Sequence, residues 1–423
     1  MGKITQKIDF WLSKLGTIFL FILIIYLPLS ELALHALQSY SHLPDSLIFW
    51  LTHFYEPIIV LFFLVYLIKF ALGRKLPKLE KIDLYAIAFL LLALVMVLFH
   101  HSDLQRGLQG LRFLILPYAV FLLARFIDFK NSHRLVQFYL FIAAIISVLA
   151  VIEYFFLPHG YMDIYYGISG FGFGENSLIS TTQAQSIFAS PNQLASYLIL
   201  PFFYLLHRYF IAKKTPLATW DSYLLILVTL AIGLTFSRSA MLGVFVGTVL
   251  VFLYFGRGRR DKIVHAILFI VITATLAVEF ALQNGELPRD LIIHGASMVG
   301  HQQATIDSFR SLFAGGFWKV LFGFGVGSAG PLALKLGGIV SENYYLQICF
   351  ELGLAGLAIY ILFIINLLTN IFQASKTTFF TLIALLVNAF FLHIFSDNPA
   401  MAVSIFIVVA TVINLEAKGE GSV

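Results

Sequence analysis

The chain carries a single cysteine, few charges and hardly any polar sequence of the length a soluble core would need around it. With Cys349 alone, an intrachain disulfide, a thiolate zinc site and a thiol-linked haem are all excluded. Its place inside an apolar run suits a small, buried side chain. Asp, Glu, Lys and Arg supply only 12% of the 423 residues, against 60% hydrophobic. That balance excludes a water-soluble globular domain and points to a polytopic membrane protein. No tandem repeat, heptad run or low-complexity tract interrupts it.

What is there is a succession of apolar runs: Leu15–Leu37, Pro57–Leu72, Leu84–Phe99, Leu108–Leu123, Leu135–Leu157 and Leu194–Ile211, then Tyr223–Phe236, Ala240–Phe255, Ile263–Leu282, Tyr345–Leu368, Phe379–Phe395 and Ala400–Leu415. Each approaches the roughly 20 residues a helix needs to cross hydrocarbon, where an unpaired backbone is costly and helices are the available solution. The expected fold is therefore all-α, one integral membrane domain over 1–423 with about twelve spans. The runs around Tyr223 and Ala240 meet at Ser237–Arg238–Ser239 and also fit one long broken helix.

Charge orients these spans. Of 27 Lys and Arg, 20 lie in alternate connections: Lys3, Lys7 and Lys14; Lys69, Arg74, Lys75, Lys78 and Lys81; Arg125, Lys130 and Arg134; Arg208, Lys213 and Lys214; Arg257, Arg259, Arg260 and Lys262; Lys376; and Lys418. Between them, Gln38–Glu56 and Pro158–Asn192 contain none. Cytoplasmic loops retain Lys and Arg, so both termini of a multi-pass membrane protein are expected in the cytoplasm. The net charge of +5 records this topology and gives no reason to expect nucleic acid. The basic, then apolar, N-terminus is too long and lacks the small-residue cleavage site of a signal peptide, so it reads as an anchor.

Two outer loops exceed simple connections. Pro158–Asn192 places Tyr165 and Tyr166 among glycines, a composition that suits sugar rings and equally an interfacial aromatic belt. Gln283–Tyr344 precedes the tenth span, has helix-like pieces and holds most of the outer charge; long outer loops of this kind carry function. The seven remaining basic residues, Arg106, Arg112, Arg238, Arg289, Arg310, Lys319 and Lys335, oppose the orientation bias. An arginine so placed needs a cavity or an anionic partner, or it snorkels to the interface. Arg238, in TFSRSA between two apolar runs, is the sharpest case, because its fork can hold phosphate oxygens.

Three elements in order resemble the O-antigen polymerase and O-antigen ligase superfamily: Thr235–Leu242 (TFSRSAML), Arg310–Gly330 (RSLFAGGFWKVLFGFGVGSAG) and Ser341–Gly356 (SENYYLQICFELGLAG). Ala189–Leu194 (ASPNQL) resembles that family's Pro-Asn start of a span. The resemblance implies a GT-C-like membrane glycosyltransferase that moves glycan from undecaprenyl diphosphate to an acceptor hydroxyl on the periplasmic side, with no metal and no cofactor. It implies a donor site of Arg238 and Arg310, with Arg289 and Arg112 in reserve, and a base or orienting acceptor at Glu342. Tyr165, Tyr166, Asn343 and Tyr344 are then the expected glycan contacts. Glu342 is also a residue that its own helix dipole would favour there.

Ligases generally carry histidine at the position of Glu342, whereas polymerases accept an acidic residue. The expected function is accordingly polymerisation of lipid-linked repeat units, with membrane lipid and a chain-length regulator as further partners. Transfer to lipid A core, as by a ligase, is the alternative; His294 and His301, earlier in the loop, would have to replace the histidine. A transporter of lipid-linked sugar is the reading from another class; Glu153, within the fifth span, favours it, and the one-sided gathering of charge opposes it. Glu351 and Asn366 are expected to bond between helices.

Overall fold

The computed structural model describes residues 2–71, 79–99, 104–127, 132–157, 183–211, 220–255, 293–330, 333, 343–397 and 399–417. These form helices and turns, without strands. In chain order the helices are α1 (Gly2–Tyr40), α2 (Asp45–Thr52), α3 (Tyr55–Ala71), α4 (Lys81–Phe99), α5 (Leu104–Phe126), α6 (Ser132–Phe156), α7 (Pro191–Ile211) and α8 (Trp220–Leu234). They continue as α9 (Arg238–Phe255), α10 (Ile293–Ala314), α11 (Phe317–Phe322), α12 (Tyr344–Ala374), α13 (Lys376–Asn388), α14 (Ile394–Asp397) and α15 (Pro399–Ala417). The expected spans fall on helices with two exceptions: Ile263–Leu282 lies outside the described residues, as do 158–182 of the first outer loop, and Phe379–Phe395 leaves its helix at Asn388 for a turn before α14. By length and composition six helices are apolar enough to cross a membrane, or seven if α2 and α3, bent by 59°, form one broken span. The protein is therefore an all-helical membrane protein.

At the centre stands α15, whose residues from Ala400 to Ile413 are each 5% exposed or less. A helix apolar all round belongs inside, and α1, α5, α6, α7 and α12 pack around it. Outer faces show the reverse: Leu61, Ile68, Leu91, Leu98 and Phe141 are exposed, as side chains against lipid would be. Between helices in lipid there is little hydrophobic drive, so close packing must hold them. Gly243 of α9 supplies it, since a Cβ there would come within 2.4 Å of the Ala384 carbonyl oxygen of α13.

The bundle has two chemically distinct ends. At the first, Arg125 at the end of α5 bonds Asp83 (3.1 Å) and Glu80 (3.0 Å) at the start of α4 and also Asn414 near the end of α15. Arg208 of α7 meets Asp221 of α8 at 3.1 Å, and Lys376 of α13 lies over the Tyr254 ring of α9 at 5.7 Å. These are residues of the basic connections, gathered at one end. Helices α8 and α9 are two elements, both packed on α7 and separated by a turn in which Phe236 takes a φ of 49°. This settles the ambiguity at Ser237–Arg238–Ser239 in favour of a turn.

One feature departs from the expected tenth span. Helix α12 is broken at Gly353 (φ 70°, ψ −172°), and its two halves fold back on one another. The Tyr344 ring lies 5.6 Å from the Tyr360 ring, and that of Tyr345 lies 6.0 Å from it. In an unbroken helix Tyr344 and Tyr360 would be about 24 Å apart along the axis. The break frees the carbonyls of Phe350 and Glu351, which accept from the N–H of Phe324 (2.7 Å) and of Gly325 (3.2 Å). The glycine run after α11 is thus the cap of the broken helix, reinforced by Phe324 stacked on Phe350 at 4.5 Å. Glu351, buried, faces the N–H groups of Gly327 and Ala329 and the Arg106 guanidinium, while Arg106 Nε donates to the Gly327 carbonyl at 2.8 Å. Glu351 therefore ties a loop to its own helix, where a bond between two helices was expected. Asn366 corrects its expectation, for it donates to Leu362 O of its own helix (2.8 Å).

Gly353 combines a left-handed φ with crowding, since a Cβ would fall 2.2 Å from the Leu321 carbonyl oxygen. Gly353→Ala should cost more than the roughly 1 kcal/mol a glycine-to-alanine change returns at a compatible site, and should lower the melting midpoint in detergent by several degrees. Gly233→Ala, where nothing lies within 4 Å, should leave the midpoint unchanged or raise it.

Candidate functional site

The end opposite the basic one is where helices stop short. Counting about 1.5 Å per residue from the basic end, Arg238 stands about 24 Å along α9 and Asn388 about 18 Å along α13, whereas Gly353 stands about 31 Å along α12. A sunken floor is thus bordered by a higher rim. The floor is polar and interlocked. Ser237 Oγ donates to Asn192 Oδ1 (2.7 Å), Asn388 Nδ2 to Ser196 Oγ (2.9 Å), Gln193 Nε2 to the Asp397 carbonyl (3.0 Å), and the Tyr344 N–H to Ala389 O (3.0 Å).

Residues 183–190 enter the same region as non-helical chain. Ala184, Gln185, Ser186, Ile187 and Phe188 are all buried. Backbone of this kind persists at membrane depth only where its polar groups are met. Glu153 of α6 meets them: its Oε2 accepts from the N–H of Gln185 (3.0 Å) and of Ser186. Ala184 N–H donates to Leu234 O at 2.9 Å, and Ser186 Oγ to Ile146 O at 3.1 Å. The carboxylate read from sequence as a possible transport group is a cap for irregular backbone.

The electrostatics follow from direction. Helices α7, α9, α12 and α15 begin at this end and α6, α8 and α13 finish there, so positive and negative helix ends alternate across it. Arg238, half-buried, is the first residue of α9. A guanidinium fork at a helix start has the geometry that suits phosphate-like oxygens.

The other expected site residues are distributed as follows. Arg310 lies on α10 and is 76% exposed, in a loose pair with Asp307 at 3.9 Å; α10 packs on α11 and α12, whereas α9 packs on α7, α8 and α13. Arg112 is held at 2.7 Å by Glu56, between the rings of Phe49 (5.3 Å) and Phe113 (5.4 Å), on the side of α5 that meets α3. Asn343 caps α12 by accepting from Leu346 N–H (3.0 Å) and donates to Phe390 O (2.8 Å). Tyr344 is wholly buried with its hydroxyl on that of Tyr118 (2.9 Å), so it holds the floor together and offers no surface to a sugar. Glu342, Arg289, Tyr165 and Tyr166 lie outside the described residues. His294 and His301 fall on α10.

Sequence reading missed Asn192, Gln193 and Asp397. The Pro-Asn step at Pro191 was the available signal for the first two. Asp397 had none, being one carboxylate in an apolar stretch. Among the described residues no group of His, Cys, Asp and Glu is arranged to hold a metal ion. No family model matches the sequence, and no curated protein matches it.

Replacing Glu153 by Leu removes the acceptor for two buried N–H groups, a loss of about 1–3 kcal/mol for each. The Leu variant should melt several degrees lower in detergent, while Glu153→Gln, which keeps an acceptor oxygen, should recover most of the difference.

Proposed function

We propose that the protein is a membrane glycosyltransferase that polymerises oligosaccharide repeat units carried on undecaprenyl diphosphate, at the periplasmic face of a bacterial inner membrane. The observation that carries this reading is Arg238 at the start of α9, next to the Ser237–Asn192 contact with the start of α7, at the end of the bundle away from the basic residues. Orientation by charge makes that end periplasmic. In the proposed reaction the bond from the anomeric carbon to the diphosphate oxygen breaks, and its electron pair leaves with the diphosphate. Arg238 and the start of its helix stabilise that growing charge; Arg310, exposed on α10, is not brought to it. The acceptor hydroxyl forms the new bond and passes its proton to Glu342. The glutamate at 342 favours a polymerase over a ligase acting on lipid A core. A chain-length regulator would bind from outside.

A transporter of lipid-linked sugar is the second reading, favoured by the bent pair α2–α3 with Arg112 and Glu56 at its break. There, however, Arg112 is already held by the Glu56 carboxylate.

Because a planar fork holds two phosphate oxygens at once where an ammonium offers a single point charge, Arg238→Lys should cut polymer formation at least about tenfold at equal membrane abundance. Glu342→Gln should do likewise while leaving donor binding intact. A full-length glycan ladder from both variants would contradict the proposed chemistry, and unchanged movement of lipid-linked sugar would separate it from transport.

A further inference from the structure

We propose that α10 and α11 lie in the outer interface of the bilayer, with an aromatic stripe among the lipid acyl chains and a polar stripe in water. This stands whether or not the protein transfers sugar. Helix α10 has three faces. Ser308 and Leu312, one turn apart, are buried, and the helix packs on α12. Ile306, Phe309 and Phe313 recur at helical spacing along a second face and are 45%, 48% and 63% exposed. Gln303, Asp307 and Arg310 form the third, with Gln303 Nε2 donating to Asp307 Oδ1 at 2.9 Å. Helix α11 continues the apolar stripe, for Phe317 and Trp318 are 71% and 70% exposed and Trp318 stacks on Phe322 at 6.0 Å.

An aromatic surface of this size would be a liability on a loop in water. Its level supplies the occupant. The end of α11 rests on Gly353, where Leu321 and Phe322 backbone atoms crowd the glycine. Gly353 stands about 31 Å along α12 from Ala374, close to the roughly 30 Å of a hydrocarbon core. The stripe therefore meets the boundary between acyl chains and headgroups, and it is continued below by the exposed Leu354 and Ile361 of α12. A helix with one side on protein, one aromatic and one charged, at that height, has the composition of an interfacial helix, and tryptophan is favoured at that depth.

The test is the fluorescence of Trp318 in a variant where it is the sole tryptophan, Trp11, Trp50 and Trp220 having been changed to Phe. The full chain is reconstituted in phosphatidylcholine vesicles with bromine near the glycerol end of the acyl chains or near their methyl ends. Shallow bromines should remove about half of the emission or more, deep bromines less, and aqueous acrylamide little. Free quenching by acrylamide with none from bromolipid would put the face in water or on a protein partner and overturn the proposal. Strongest quenching by deep bromines would overturn the interfacial level. If the triple replacement does not fold, nitroxides at Phe313→Cys and Gln303→Cys in a Cys349→Ala chain decide the matter. Oxygen should relax the first and an aqueous nickel chelate the second, and equal behaviour at both sites would contradict the proposal.

Discussion

Everything at the end bearing Arg238 depends on how interrupted helices satisfy their backbone inside packed protein. Where α12 turns at Gly353, two carbonyls lose their helical donors among buried neighbours. The chain answers with Phe324 and Gly325, whose N–H groups arrive from a loop before the helix. That exchange requires the loop to come close to α5 as well. A Cβ on Gly327 would fall 2.7 Å from Arg106 O, and one on Gly110 would fall 2.4 Å from the Cα of Gly327. The glycine run is thereby explained as a clamp before any catalytic role is considered. Glu153 does for residues 183–190 what the glycine run does for α12. Both devices satisfy non-helical backbone within packed protein.

Much of this was legible in the sequence. Hydropathy placed helices such as α4, α5 and α7 close to the ends of their apolar runs, because lipid leaves little choice of backbone, but among the described residues six or seven helices rather than twelve have the length and composition of a span. Basic residues marked one end correctly, since Arg125, Arg208 and Lys376 do gather there. The fold-back of α12 was not legible. Tyr344–Ala374 is apolar throughout, and hydropathy cannot tell one span from a hairpin whose halves both face protein or lipid. The one signal was Gly353, and glycine is common in spans.

The site was legible in part. Arg238 stood out because an arginine against the orientation bias between apolar runs needs a reason. Tyr344 could not be separated from a sugar contact, because burial of an aromatic beside a loop depends on what the loop covers. Asp397 and Gln193 are joined across a long sequence separation, and neither residue is unusual alone.

The central claim is that the end bearing Arg238 is open to the outside of the membrane and the end bearing Lys376 is not. Labelling of single cysteines by an impermeant thiol reagent on intact spheroplasts tests it, with Cys349 replaced by Ala. Arg238→Cys should react without permeabilisation, and Gln373→Cys only after it. The reverse pattern, with Gln373→Cys labelled in intact cells and Arg238→Cys silent until they are opened, would contradict the account.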